Sequence, residues 1–113
     1  MQNPFQVDGR IWLNCKNTSF IGQGKIELIL KIKELGSLRK AAIEMKMSYR
    51  QAWYHINSIN KSALTPLVIL KRGGKDGGVA EITAYGEKII VTFLNLQHDF
   101  DEFLKEQTLK LNA

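Results

Sequence analysis

The stretch GSLRKAAIEMKMSYRQAWYHIN, residues 36–57, decides how this chain is read. Two helical patterns stand almost end to end, with only Lys46 and Met47 before a serine able to cap the second. Gly36 ends the preceding helix by tolerating the left-handed conformation, and Ser37 caps the next. In that helix Leu38, Ala41, Ala42 and Met45 share a face by three- and four-residue spacing, and the paired alanines let another helix come close. Ser48 then caps a helix predicted to run to Asn60. Unrolled at about 100° per residue, Ala52, Ile56 and Ile59 form its buried stripe. Tyr49, Trp53 and Asn60 flank that stripe on one side and His55 on the other. Arg50, Tyr54, Asn57 and Lys61 lie opposite. That outer face has no carboxylate and is rich in groups that donate to phosphates and base edges. A short helix, a tight turn and a helix buried on one side describe a helix-turn-helix. The bland alternative is a pair of surface helices in an α-bundle.

The next segment favours the first reading. After Pro66, Leu67–Leu70 and Val79–Ile82 have the β-type composition of two strands around KRGGKDGG, a hairpin with a basic tip at Lys71, Arg72 and Lys75. A hairpin directly after a helix-turn-helix is a wing, able to lie on a DNA backbone. The glycines are not a nucleotide cradle: GxxxxGK[ST] is absent and a strand follows instead of a helix.

Upstream, alternation over residues 10–15 predicts a strand, with Phe20 and Ile21 as its possible return. A helix follows over 25–35, apolar on two sides and therefore central. Downstream, Thr83 caps a long last helix. Ile89, Phe93, Leu96, Phe100 and Phe103 recur at alternating steps of four and three, the spacing of a packing seam. Leaving a Phe or Leu bare forfeits about 1.5–3 kcal/mol each, so the same helix of a second copy is expected to cover this seam. Folding back onto its own chain is the alternative. The expected fold is mainly α with a small β component: a winged helix-turn-helix over 1–83 and a dimerisation helix over 84–113.

At 113 residues the chain is expected to form one domain, and its 44% apolar and 24% charged residues are ordinary for a globule. The net charge is +5. Residues 1–80 carry 13 Lys and Arg against 5 Asp and Glu, or +8, whereas residues 81–113 carry 3 against 6, or −3. A basic body points to a polyanionic partner. There is no apolar run of membrane-spanning length, no signal-like N-terminus, and one cysteine, Cys15. No membrane association and a cytoplasmic location are expected. His55 and His98 have no ligand-spaced partners, no nucleophile stands beside a base, and Cys15 is a small packing residue. No metal, cofactor or catalysis is expected.

In sequence the runs GSLRKAAIEMKMSYRQAWYHINSIN and LVILKRGGKDGGVAEITAYGEKII together resemble the N-terminal DNA-binding domain of the molybdate-dependent regulators (ModE), relatives of the LysR-type winged helix. The marks are Gly36-Ser37, Ala41-Ala42, Ser48-Tyr49-Arg50, Ala52-Trp53, Gly74-Lys75, Gly77-Gly78 and Ile82-Thr83 with Gly86, and the likeness covers about Gly9 to Phe103. It implies a homodimer on a palindromic operator in double-stranded DNA. Ser48, Tyr49, Arg50, Trp53 and Tyr54 match the DNA-facing part of the recognition helix, and Arg72 and Lys75 the wing. Asn57 and Lys61 extend the same face. Trp53 and Tyr49 could equally be packing residues, and Arg39 and Lys40 either touch phosphates or face solvent. Asp76 departs from the glycine run and puts a carboxylate beside the wing's cations. The chain stops at Ala113, short of the molybdate-binding modules of full-length members, so molybdate sensing is not expected within it. A winged-helix module that binds protein and not DNA is the main alternative. A small-anion sensor at the dimer interface ranks last.

Overall fold

In the computed structural model, residues 4–72 and 78–113 are described. Eight elements follow one another: β1 (Leu13–Cys15), β2 (Thr18–Ile21), α1 (Gln23–Leu35), α2 (Leu38–Glu44), α3 (Tyr49–Ser62), β3 (Val68–Lys71), β4 (Val79–Ile82) and α4 (Ala84–Leu111). The fold is mainly α with two antiparallel two-stranded sheets, β1–β2 and β3–β4, and a long C-terminal helix.

The core forms around α1, whose Ile26, Leu28, Ile29 and Ile32 are all buried. Leu38, Ala41 and Ala42 of α2, Ala52, Ile56 and Ile59 of α3, Leu67 and Val68, and Ile90 and Phe93 of α4 complete it. α1 stops at Gly36, which adopts φ 65° and donates its N–H to Ile32 O at 2.7 Å. The Ser37 hydroxyl then accepts from Lys40 N at 3.1 Å, so α2 begins at once.

α2 ends as abruptly. Met47 N donates to Ala42 O and Lys46 N to Ile43 O, both at 3.0 Å, with Lys46 at φ 56°. This is a Schellman turn with lysine at the left-handed position usually given to glycine. The Ser48 hydroxyl accepts from Gln51 N at 3.0 Å and starts α3.

The strand expected over 10–15 forms only over Leu13–Cys15. Leu13↔Ile21 is its last pair, and the chain beyond Ile21 turns into α1, so residues 10–12 have no strand to join. Ile11 and Trp12 instead border a cleft against Leu96, Asp99 and Phe100 of α4. Earlier still, the N-terminal segment lies along the far half of α4. Val7 N donates to Thr108 Oγ1 at 2.8 Å, and Asn112 Nδ2 donates to Phe5 O at 2.9 Å.

The base of the β3–β4 hairpin is tied to both neighbouring helices. Thr83 donates from N to Leu67 O at 2.9 Å and from Oγ1 to Pro66 O at 2.8 Å, while its hydroxyl also caps α4 by accepting from Gly86 N at 2.9 Å. Gly86 is buried where α4 crosses this knot. A Cβ there would run into the Leu67 carbonyl and the Ile82 side chain. The Gly86→Ala variant is therefore expected to lose about 1–3 kcal/mol of stability, because a backbone carbonyl yields poorly to an added methyl. Urea unfolding followed by helical circular dichroism measures this, and an unchanged midpoint would contradict the close approach.

Candidate nucleic-acid interface

α3 is held by one stripe, Ala52, Ile56 and Ile59, each 1% exposed or less. Its remaining faces therefore reach the surface. Arg50, Tyr54 and Lys61 are exposed, whereas Asn57 is half-buried. Tyr49 and Trp53, which could have been packing residues, are 51% and 40% exposed. The three groups Arg50, Trp53 and Tyr54 order one another. The Arg50 guanidinium stands 5.7 Å from the Tyr54 ring centroid, and the Trp53 and Tyr54 rings meet edge to face at 5.5 Å. At an exposed site such a cation–π contact contributes about 0.5–1 kcal/mol, enough to bias the guanidinium without immobilising it.

These side chains form one wall of a cleft of about 610 Å³. Ser37, Leu38 and Arg39 at the start of α2 close one end, and Leu70, Lys71, Arg72, Val79 and Ala80 of the hairpin form the other wall. Arg39, Arg50, Lys71 and Arg72 bring four cations to it, and among the described residues no carboxylate lines it. Lys71 pairs with Glu81 at 3.2 Å, an exposed pair of little energetic weight. Among the described residues Arg39, Arg50 and Arg72 make no salt bridge, so their positive potential is not cancelled locally.

Of the residues singled out in the sequence, the fold thus gathers Arg39, Tyr49, Arg50, Trp53, Tyr54 and Arg72 around one space. Ser48, Lys40, Asn57 and Lys61 lie outside its lining, and the Ser48 oxygen is occupied by its cap. Lys75 lies outside the described residues. Sequence reasoning missed the apolar wall formed by Leu70 and Val79, 37% and 50% exposed, because it assigned the two strands without assigning which face of the hairpin each residue takes. It also missed what Asn60 does. The Asn60 amide accepts from Leu67 N at 2.9 Å and Val68 N at 3.3 Å, and donates to Val68 O at 2.8 Å. The only advance signal was a polar residue on the margin of the buried stripe.

On α4, the seam residues separate. Phe93 is fully buried by its own chain and Ile89 is partly buried against the same core. Phe93 is therefore not available to a second copy: at this point the helix crosses the body, so intrachain packing takes the position. Leu96 and Phe103 remain 43% and 51% exposed, and Phe100 is half-buried with its ring stacked 6.2 Å from that of Phe103. No helix among the described residues is long and apolar enough to cross a membrane.

A mainly α domain with a helix, turn and helix beside a hairpin, enclosing a basic cleft, is the class of protein these features define. No protein-family model matches the chain. Among curated proteins it is 37% identical over 105 residues to the transcriptional regulator ModE of Haemophilus influenzae, covering 89% of this chain and 41% of that protein. It is 33% identical over 103 residues to the molybdenum transport protein ModE of Azotobacter vinelandii, covering 91% and 38%. With the DNA-binding transcriptional dual regulator ModE of Escherichia coli K12 the identity is 31% over 112 residues, covering 96% and 43%. Over nearly all of its length the chain is a homologue of the N-terminal part of the ModE transcriptional regulators. It spans about two fifths of the length of those relatives.

Proposed function

We propose that this chain is the DNA-binding part of a transcriptional regulator: a winged helix-turn-helix over residues 1–83, with α4 as a dimerisation helix. The observation that carries the reading is the cleft between α3 and the hairpin, which among the described residues is lined by Arg39, Arg50 and Arg72 without a salt bridge and by no carboxylate. α3 enters a major groove with Arg50 and Tyr54 toward the base edges. Arg39 and Arg72 take phosphates on either side, and α2 braces the helix from behind. Homology to proteins named as transcriptional regulators supports the same reading.

The partner copy is proposed to cover Leu96, Phe103 and the open side of Phe100. Two recognition helices then meet a palindromic operator at half-sites about 34 Å apart or a multiple of that spacing. An adaptor that binds protein in the same cleft is the second reading, favoured by the exposed Trp53, Leu70 and Val79 along its walls.

Selection from random duplexes at two salt concentrations separates the two readings. A DNA reader loses affinity with a log–log slope of about −0.9 per neutralised phosphate, and an adaptor enriches no sequence. In the enriched duplex, Arg50→Ala is expected to weaken specific binding by about 1–3 kcal/mol and to relax base preference at the positions it reads. An unchanged preference would count against the assigned face. For the dimer, sedimentation of the Phe103→Glu variant is expected to show a single chain where the parent sediments as two. Because Phe103 is exposed in one chain, its helical content should not change. A parent protein that sediments as one chain contradicts the dimer.

A further inference from the structure

Both outer edges of the β3–β4 hairpin are occupied by groups from the helix-turn-helix. On the β4 side, Ala80 N donates to Gly36 O at 3.0 Å, at the joint between α1 and α2. On the β3 side, Asn60 at the end of α3 takes both main-chain groups of Val68, donating to its carbonyl at 2.8 Å and accepting from its N–H at 3.3 Å. The carbonyl needs a donor and the N–H an acceptor, so only this orientation of the amide satisfies both. One side chain thus does for β3 what an adjacent strand would do, and its oxygen also holds Leu67 N at 2.9 Å.

We propose that Asn60 is a positioning residue that fixes the wing relative to the recognition helix and thereby sets the span between Arg50 and Arg72. The proposal rests on the DNA-binding reading above. Asn60 and Arg50 share one rigid helix, and Val68 and Arg72 share one strand and its end. The bond network between Asn60 and Val68 therefore links the two phosphate-and-base-reading walls directly. Four residues separate Val68 from Arg72, about 13 Å of strand. A rotation of about 10° at the base would carry Arg72 through about 2 Å, enough to break a hydrogen bond to a phosphate. Without Asn60 the hairpin still keeps its four-pair ladder, its buried Val68 and the Thr83 knot. The Ala80–Gly36 bond on the β4 edge also remains, so what the hairpin loses is its direct tie to α3, leaving β3 free to swing about the β4 edge.

The test is a double-mutant cycle on binding to the enriched duplex, using Asn60→Leu, which keeps the size of the side chain and removes all three bonds. In the parent, Arg72→Ala is expected to cost about tenfold in affinity. In the Asn60→Leu background it should cost less than about twofold, the ordinary error of additivity. A lost fold would also cancel the effect of Arg72, so the cycle is read on Asn60→Leu protein that keeps the parent's helical circular dichroism and still binds the duplex. The same tenfold loss in both backgrounds overturns the proposal. If Asn60→Leu does not fold, Asn60→Asp, which keeps the two acceptor bonds and loses the donor, takes its place in the cycle. Amide hydrogen exchange provides a readout independent of DNA. Loss of Asn60 should speed exchange at Leu67 and Val68 while α3 stays protected, and unchanged protection at Val68 overturns the mooring. Absence of salt-dependent duplex binding by the parent would sink the DNA reading itself, leaving the exchange result to decide the mooring.

Discussion

The single stripe of Ala52, Ile56 and Ile59 determines what α3 can do. A helix buried over a wide arc, as α1 is through Ile26, Leu28, Ile29 and Ile32, has less of its surface left for a partner. One anchored by an alanine and two isoleucines exposes the rest of its circumference. The short residues matter as much as the apolar ones. Ala41, Ala42 and Ala52 are all 2% exposed or less, so α2 and α3 meet through small side chains, and Arg50, Tyr54 and Lys61 stay exposed on the other side of α3. The Schellman turn at Lys46 delivers the chain into this arrangement within four residues.

Local physics was readable in the sequence wherever it was local. Ser37, Ser48 and Thr83 each cap the helix that they precede, because a hydroxyl two or three residues ahead of an unsatisfied N–H is a property of adjacent residues. Gly36 sits at positive φ for the same kind of reason. The face carrying Arg50, Tyr54 and Lys61 followed from helical periodicity. Asn57 did not, since its half-burial depends on what the neighbouring elements place beside it.

Contacts between distant residues were not readable. The ties from Phe5 to Asn112 and from Val7 to Thr108 join the two ends of the chain, and no periodic pattern reports them. Phe93 belongs by spacing to the seam of α4, but it sits where the helix crosses the core. Periodicity identifies a face and not the object that covers it. Asn60 illustrates the same boundary: its position beside the stripe was visible, but its partners at Leu67 and Val68 depend on how the chain returns after Pro66.

The basic cleft joins α3 to the β3–β4 hairpin, and the proposed reading needs both to act together. Titration of isotope-labelled protein with its selected duplex, read as backbone amide shifts, tests this most directly. The account predicts the largest changes from Tyr49 to Tyr54 and at Lys71 and Arg72, with α1 silent. Changes concentrated on α4 or the β1–β2 hairpin, with α3 unmoved, would contradict it.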